Sequence, residues 1–287
     1  MTTTQRDIQD ELRRIEASLG GGTLGVCASV GHDGEPVTYN ADETFPTASV
    51  IKVAIVAEWF ARVEEGDLSA DETVTVAAAD HIVGSGVLAG LRPGHTFALP
   101  ELAWLAITVS DNTASNLVLR VVGGKDRVNT RMRDEWGMRS TVIHRPIRFH
   151  VASGDPPYTA TGTPRDLCRF MELAATGRLH SSSVSAQVLT LLAHTDNTEM
   201  LPRYLDVNHY ADDLDAAAPP VLAFHKPGAV TGVRNDAGII RRGGETSGGL
   251  CVAVYTKGCP DARWTAANQG SEAVARVGEL LARRLLE

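Results

Sequence analysis

Segments typical of β-strands lie near both ends of this 287-residue chain, and helical periodicity fills much of the stretch between them. Two segments, LGVCASV and PVTYN, surround the turn GHDGE near the N-terminus, which is a hairpin signal. Three more, VLAFHKPGAV, NDAGIIRR and GGLCVAVYTKG, follow near the C-terminus with glycine turns between them. Strands from both ends can join one antiparallel sheet if the residues between them are inserted as a second lobe.

The sequence therefore predicts an α+β fold: an antiparallel sheet flanked by N- and C-terminal helices, with an inserted all-helical lobe. The flanking helices are predicted at 4–19 and 262–286. The sheet lobe is predicted from 1–48 plus 218–287, and the helical lobe from 49–217. Within the helical lobe, helices are predicted at 50–65, 100–109, 113–122, 163–177 and 181–195.

Composition excludes several classes of function. The net charge of −8 argues against a nucleic-acid partner, because such proteins carry basic patches. No apolar run reaches the length of about 18 residues that a membrane span needs, so no membrane association is predicted. The N-terminal residues lack a signal-peptide segment. The sequence as it stands is expected to be cytoplasmic, or periplasmic or secreted if an export segment has been removed.

Cysteine and histidine spacing indicates no metal site. The four cysteines contain no C-x-x-C pair and are interpreted as buried, reduced thiols. The nine histidines show no H-x-x-x-H pairing, so no metal or other cofactor is predicted. The chain is expected to be a monomer that acts on a small-molecule substrate.

The stretch TASVIK places Ser49 and Lys52 three residues apart at the start of an apolar helix. Residues at this spacing are neighbours on a helix. A partly desolvated lysine has a lowered pKa and can take the proton of a serine nucleophile. The alternative is a helix-capping serine with a lysine whose charged end reaches solvent.

Two further stretches carry candidate site residues. VSDNTASN places Ser110 and Asn112 in a short link between two helices, where the alternative is a plain helix cap. HKPGAV places Lys226 in an apolar strand just before Gly228, where the alternative is an ordinary strand end.

Together, S-x-x-K, S-D-N and K-x-G in this order resemble the motif set of class A β-lactamases and penicillin-binding proteins. The resemblance covers nearly the whole chain and implies a serine hydrolase that forms an acyl-enzyme. It implies that Ser49 is the nucleophile, Lys52 its base and Ser110 a proton relay to the leaving nitrogen. It also implies that Asn112 holds Lys52 and an acyl amide, and that Lys226 adds positive charge near a substrate carboxylate.

The resemblance further implies an oxyanion hole formed by the backbone N–H groups of Ser49 and Ala229. One such donor lowers the barrier by roughly 3–4 kcal/mol. Gly228 is expected to contact substrate. Ser85 and His81, in the glycine-rich turn at 80–95, are expected to line the site by position.

The loop at 143–164 departs from the family pattern. Class A β-lactamases carry Glu-x-x-Leu-Asn there, and that glutamate activates the water that releases the acyl group. This loop contains no glutamate, and its only acid is Asp155. His144, His150 or Asp155 is a possible substitute base, since histidine titrates in a suitable range. The alternative for each is a loop hydrogen bond or a solvated side chain.

Pro227 is the second departure from the family pattern, because members of the family carry Lys-Thr-Gly or Lys-Ser-Gly at this motif. Proline offers neither a side-chain hydroxyl nor a backbone N–H to a substrate carboxylate. Arg234 can compensate through a bidentate contact, and its alternative is a solvated turn arginine.

The sequence thus supports a β-lactamase-like serine hydrolase that acylates Ser49 and opens a β-lactam or a related amide or ester. One alternative is a D-peptidase, esterase or transacylase of a biosynthetic pathway. Another is a penicillin-binding module that acylates without fast turnover.

Overall fold

A five-stranded antiparallel sheet with the order β2-β1-β10-β9-β8 forms the centre of the molecule. The structure is a computed structural model that describes residues 3–31, 35–150, 152–208, 217 and 219–286. Its strands are β1 Thr23–Val30, β2 Val37–Tyr39, β3 Phe45–Pro46, β4 Thr73–Thr75, β5 Thr96–Ala98, β6 Val142–Ile143, β7 Ala160–Gly162, β8 Val221–Val230, β9 Val233–Arg242 and β10 Leu250–Lys257. Its α-helices are α1 Thr3–Ala17, α2 Lys52–Glu64, α3 Leu99–Thr108, α4 Asn112–Val121, α5 Lys125–Asp134, α6 Pro164–Ala175, α7 Ser182–Ala193 and α8 Gln269–Leu285.

Both faces of the sheet are buried. Side chains alternate along a strand, so neighbouring residues face opposite layers. In β10, Val252 and Val254 belong to the apolar cluster shared with α1 and α8. Cys251 and Tyr255 belong to the larger cluster that contains the helices of the middle segment. The strands are therefore apolar on both faces, and the middle segment packs on the side opposite α1 and α8.

The α+β fold class, with strands from both chain ends in one antiparallel sheet, is confirmed. Contrary to the prediction, the segment 49–217 is not entirely helical, because it also contains the small sheet β4-β5 and the strands β6 and β7, which form a second small sheet with β3. The division into a sheet lobe and a helical lobe stays a prediction. In the described part of the chain, no helix is both long and apolar enough to cross a lipid bilayer.

Two helix predictions need correction. Helix α5 was not predicted, because its sequence KDRVNTRMRD is mostly charged and offers only Val128 and Met132 as an apolar stripe. The C-terminal helix begins at Gln269 and not at 262. Asn268 caps it by accepting hydrogen bonds from the backbone N–H groups of Gly270 and Ser271, which fixes the helix start.

Helix α2 is the central helix of the middle segment, and every residue from Lys52 to Ala61 is buried. Its one buried carboxylate, Glu58, is paired with the guanidinium groups of Arg127 and Arg131. A 3-10 turn, Ala48–Ile51, precedes α2 and packs against the end of β8. This contact brings the start of the helix to the edge of the main sheet.

Candidate active site

A cleft opens where the 3-10 turn meets the edge of the sheet, and Ser49 lies in its wall. One half, which we call the lysine pocket, has a volume of about 460 Å³ and is lined by Ser49, Ser110, Lys226 and Arg234 among others. The other half, the loop pocket, has a volume of about 790 Å³ and is lined by Ser49, Asn112 and parts of the 143–164 loop. Ser49 therefore faces both halves.

The backbone around Ser49 is held in an uncommon conformation. Ala48, directly before it, has a φ of 47°, which is in the left-handed region that few residues other than glycine adopt. The preceding residue, Thr47, donates its backbone N–H to the carbonyl of Ala160. This conformation and this contact fix the point from which the serine side chain projects, as nucleophile positions in enzymes often require.

Lys52 follows Ser49 by three residues at the start of α2 and is fully buried. Its Nζ hydrogen-bonds to the carbonyl oxygen of Ser110 at 2.6 Å, the Oγ of Ser110 at 3.1 Å and the Oδ1 of Asn112 at 2.9 Å. Burial lowers the pKa of Lys52 well below its usual value, and the charge of Lys226 lowers it further, whereas Asp111 opposes the shift. The surroundings therefore favour a neutral amine, which can accept a proton.

Ser110, Asp111 and Asn112 divide two roles between them. Asp111 is the cap of α4, because its carboxylate accepts the N–H of Ala114, and it also accepts the N–H groups of Val87 and Leu88. The capping interpretation is therefore correct for the aspartate. Ser110, with a φ of 56°, and Asn112 instead direct their side chains toward Lys52.

Lys226 is fully buried at the wall of the lysine pocket. Its Nζ donates to the carbonyl of Pro227 at 3.0 Å. Burial lowers its pKa to about 7, although the nearby carboxylate of Asp236 acts in the opposite direction. A substrate carboxylate in this pocket would favour the charged form of the lysine.

Gly228 touches the backbone at Ser49. A methyl group at its Cα would lie 2.7 Å from the N of Ser49 and 2.9 Å from the N of Val50. The strand can pass the 3-10 turn at Ser49 this closely only because the residue has no side chain. Ala229 follows in the walls of both pockets, next to Ser49.

Gly228→Ala is expected to slow acylation of Ser49 by about 10-fold, because the added methyl displaces the 3-10 turn that carries Ser49 from β8. The measurement is the rate of adduct formation with a penicillin, followed by intact mass. Gly90→Ala is the matched control, since a methyl there meets no atom within 4 Å. Equal rates for the two variants would contradict the steric argument.

Arg234 is largely engaged by the protein itself. Its Nη1 donates to the carbonyls of Val230 and Val233, and its Nη2 donates to that of Arg263. Its guanidinium lies 4.6 Å from the ring centroid of Trp264. The side chain is buried and not solvated, and its contact with a substrate carboxylate stays a prediction.

The 143–164 loop is held by side-chain contacts to backbone. The guanidinium of buried Arg145 donates to the carbonyls of Pro146, Arg148, Pro156 and Pro157, so one side chain joins both arms of the loop. The amide of Asn116 on α4 donates to the carbonyl of Ile147 and accepts its N–H. These bonds fix the wall of the loop pocket.

The three possible substitute bases do not line either pocket in the described part of the chain. His144 is half-buried, with its Nε2 2.8 Å from the Oγ1 of Thr161. The carboxylate of Asp155 is paired with Arg148, and His150 is exposed. The structure therefore does not bring these residues to Ser49, and a catalytic role for any of them stays a prediction.

The glycine-rich turn contributes one of its two candidates. Ser85 lines both pockets, and its carbonyl accepts the backbone N–H of Asn112. His81 is not among the residues that line the cleft.

Sequence reasoning missed Phe149, Tyr158 and Trp264, which all line the loop pocket, because a single aromatic residue in a loop carries no periodic signal.

Comparison with known families matches residues 6–285 to the β-lactamase enzyme family. Curated relatives include β-lactamase PSE-4 of Pseudomonas aeruginosa, which is 30% identical over 45% of this chain and 44% of its own length. They also include β-lactamase CTX-M-97 of Escherichia coli, 29% identical over 64% of this chain and 62% of its own length. The matched region thus spans less than two thirds of either relative.

Solved structures match over nearly the whole chain. A β-lactamase from Sphaerobacter thermophilus has a TM-score of 0.83 and 28% identity, covering 98% of this chain and 97% of that chain. A mutant of PBP-A, solved as an acyl-enzyme complex with penicillin G, has a TM-score of 0.80 and 26% identity, covering 97% and 96%.

Proposed function

This chain belongs to the β-lactamase enzyme family, and we propose that it is a serine hydrolase that forms an acyl-enzyme on Ser49. Its substrate is a β-lactam or a related amide or ester. The observation that carries the proposal is the buried amine of Lys52, held by Ser110 and Asn112, three residues after a serine that lines an open cleft together with Ser110. A serine hydroxyl is a weak nucleophile and needs such an adjacent base.

Acylation follows from this arrangement. The neutral Lys52 takes the proton of Ser49 as its Oγ attacks the carbonyl carbon. The N–H groups of Ser49 and Ala229 bind the oxyanion. When the carbon–nitrogen bond breaks, Ser110 gives its proton to the leaving nitrogen and recovers one from Lys52. The 3.1 Å contact between Ser110 Oγ and Lys52 Nζ supports this return path.

The two pockets bind different parts of the substrate. A carboxylate next to the leaving nitrogen lies in the lysine pocket, where it becomes the counter-ion of Lys226 and retains that lysine in its charged form. The acyl side chain lies in the loop pocket, where Asn112 can bind its amide.

We further propose that deacylation is slow. An ester is hydrolysed quickly only when a base lies within hydrogen-bond reach of the attacking water. Among the described residues that line the loop pocket, none is a carboxylate or an imidazole, whereas the lysine pocket on the other side of Ser49 is lined by Asp196 and Glu199. Slow deacylation is therefore proposed for water that approaches the ester from the loop pocket. A penicillin-binding module is the limiting case, in which the acyl-enzyme is not hydrolysed at all. A PBP-A mutant solved as an acyl-enzyme complex with penicillin G is among the structures that this chain resembles.

The test uses the protein and its Ser49→Ala variant with a penicillin and a chromogenic cephalosporin. Intact mass reports the adduct, and colour reports turnover. We expect an adduct that persists for many minutes, slow turnover, and neither signal in the variant. A persistent adduct without turnover supports the penicillin-binding module. The absence of both adduct and turnover in the unmodified protein would exclude a β-lactam as the substrate and leave a related amide or ester.

A further inference from the structure

Three aromatic side chains that are open to solvent surround the loop pocket. Phe149 is 56% exposed, Tyr158 41% and Trp264 67%. In the described chain the exposed aromatic side chains are Trp104, Phe149, Tyr158, Tyr204 and Trp264. Three of these five therefore line a single cleft, which is the arrangement expected of a site that buries an apolar ligand.

Two of these rings contact neighbouring residues. A methyl group at Gly84 would lie 3.0 Å from the Cζ of Phe149, so this ring reaches from the loop to the opposite wall. Trp264 lies on the guanidinium of Arg234, which in turn binds the carbonyl of Arg263. Pre-positioned rings bind a ligand with a smaller entropy loss than mobile ones.

The backbone that carries the other wall is also fixed. Arg145 joins the arm of the loop that carries Phe149 to the arm that precedes Tyr158, through the carbonyls of Arg148 and Pro157. The loop pocket therefore has a formed aromatic surface.

Charge adds a second constraint on the ligand. No carboxylate lines the loop pocket among the residues that the structure describes, and the charged side chains that do line it are Arg145 and Arg148. Arg148 is paired with Asp155, and Arg145 is surrounded by backbone carbonyls. A cation placed here would meet the guanidinium of Arg145, whose hydrogen-bond partners are neutral carbonyls, and no carboxylate in the described lining, which costs free energy.

We propose that the loop pocket selects substrates whose acyl group carries an aryl ring and no positive charge, with Phe149, Tyr158 and Trp264 as specificity-determining residues. This inference rests on the proposed function, because the acyl group is the part of the substrate that becomes bound to Ser49. The catalytic motifs do not dictate it, since none of the three rings belongs to them.

The first experiment compares three penams with the same nucleus and different 6-acylamino groups: acetyl, phenylacetyl and α-aminophenylacetyl. The second-order rate constant for acylation is measured for each. We expect phenylacetyl to exceed acetyl by about 10-fold, because the ring is buried against aromatic surface. The α-amino group is expected to lower the phenylacetyl rate by about 10-fold. Rate constants within twofold of each other would overturn the inference and leave the proposed function intact.

Variants of the aromatic residues test whether their rings cause the preference for the phenylacetyl substrate. Phe149→Ala and Tyr158→Ala are each expected to lower the phenylacetyl-to-acetyl ratio about threefold or more. Tyr204→Ala is the matched control, because Tyr204 is equally exposed and does not line the loop pocket. An unchanged ratio in both loop variants would show that other residues make the selection and would contradict the assignment.

A binding experiment covers the case in which no penam reacts. The Ser49→Ala variant is mixed with N-phenylacetylglycine or N-acetylglycine, and binding is followed by ligand-detected NMR. Selective binding of the phenylacetyl compound, lost in Ser49→Ala/Phe149→Ala, would retain the inference even if acylation fails. Equal binding of the two compounds would overturn it without reference to catalysis.

Discussion

Replacing Lys52 by methionine is expected to lower the rate constant for acylation of Ser49 by about 1,000-fold. Methionine fills a similar volume but cannot accept the serine proton. It also leaves the Oδ1 of Asn112 and the carbonyl of Ser110 without the donor they have now. The measurement is adduct formation with benzylpenicillin, followed by intact mass over hours.

Two control variants distinguish the role of Lys52 as a base from the effect of its positive charge. Lys52→Arg retains a cation that stays protonated at accessible pH, and it is therefore expected to be as slow as Lys52→Met. Lys125→Met alters a lysine on α5 that is outside both pockets, and it should react at the original rate. Rapid acylation of Lys52→Arg would show that the positive charge matters and that proton transfer to Lys52 does not.

The pH dependence of acylation gives an independent test of the same role. A neutral Lys52 amine is the active form, so the rate falls as pH decreases through the pKa of this lysine. Burial and the charge of Lys226 place that pKa well below the usual lysine range. The acid limb of the profile should therefore lie far below the usual pKa of 10.5. A rate that still increased steeply above pH 10 would contradict a base of this kind.

Lys226→Met is expected to change function and stability in opposite directions. The variant loses the cation of the lysine pocket, so kcat/KM for a carboxylate-bearing substrate falls by about 10- to 100-fold. The same change removes a fully buried amine, and the free energy of unfolding at neutral pH rises by about 1–2 kcal/mol. Chemical unfolding and kinetics on the same sample measure both effects.

The pH dependence of the free energy of unfolding tests whether burial of Lys226 is the cause of this stability change. Lys226 has a pKa of about 7 in the folded protein and 10.5 as an ordinary lysine. Between these values the unfolded chain binds more protons than the folded one, so the free energy of unfolding rises with pH. Lys52, whose pKa is also lowered, acts in the same direction.

The Lys226→Met variant should show a smaller rise over the same pH range, because one of the two lysines is gone. Lys257→Met provides the control, since Lys257 is partly exposed and paired with Glu43. Parallel stability curves for Lys226→Met and the unmodified protein would mean that Lys226 does not titrate in this range.

Much of the fold followed from local sequence patterns. Strand β8 was predicted with its observed bounds, since VLAFHKPGAV is an apolar run between turn residues. Helix α2 and the two helices around Ser110 were predicted from apolar spacing and caps. Helix α5 could not be predicted in this way. Its charged residues include Arg131, which is buried and paired with Glu58 on α2 and with Glu65 directly after that helix.

Part of the candidate site was likewise predicted from the sequence and part was not. The three motifs pointed to Ser49, Lys52 and Lys226, because a serine nucleophile with an adjacent base requires these residue types. Their surroundings could not be inferred locally. The guanidinium of Arg234 is occupied by carbonyls at Val230 and Arg263, and such contacts exist only in the folded chain.

The sequence by itself determined the fold class, the prediction of Ser49 as nucleophile and the absence of a glutamate from the 143–164 loop. Side-chain alternation, helical spacing and motif order are local properties, so they can be recognised without the fold. Only the tertiary structure decided what surrounds Ser49: the buried lysines, the backbone contact at Gly228 and the rings of Phe149, Tyr158 and Trp264. Burial and long-range contacts set the pKa of a lysine and the shape of a pocket, and both arise only when distant segments pack together.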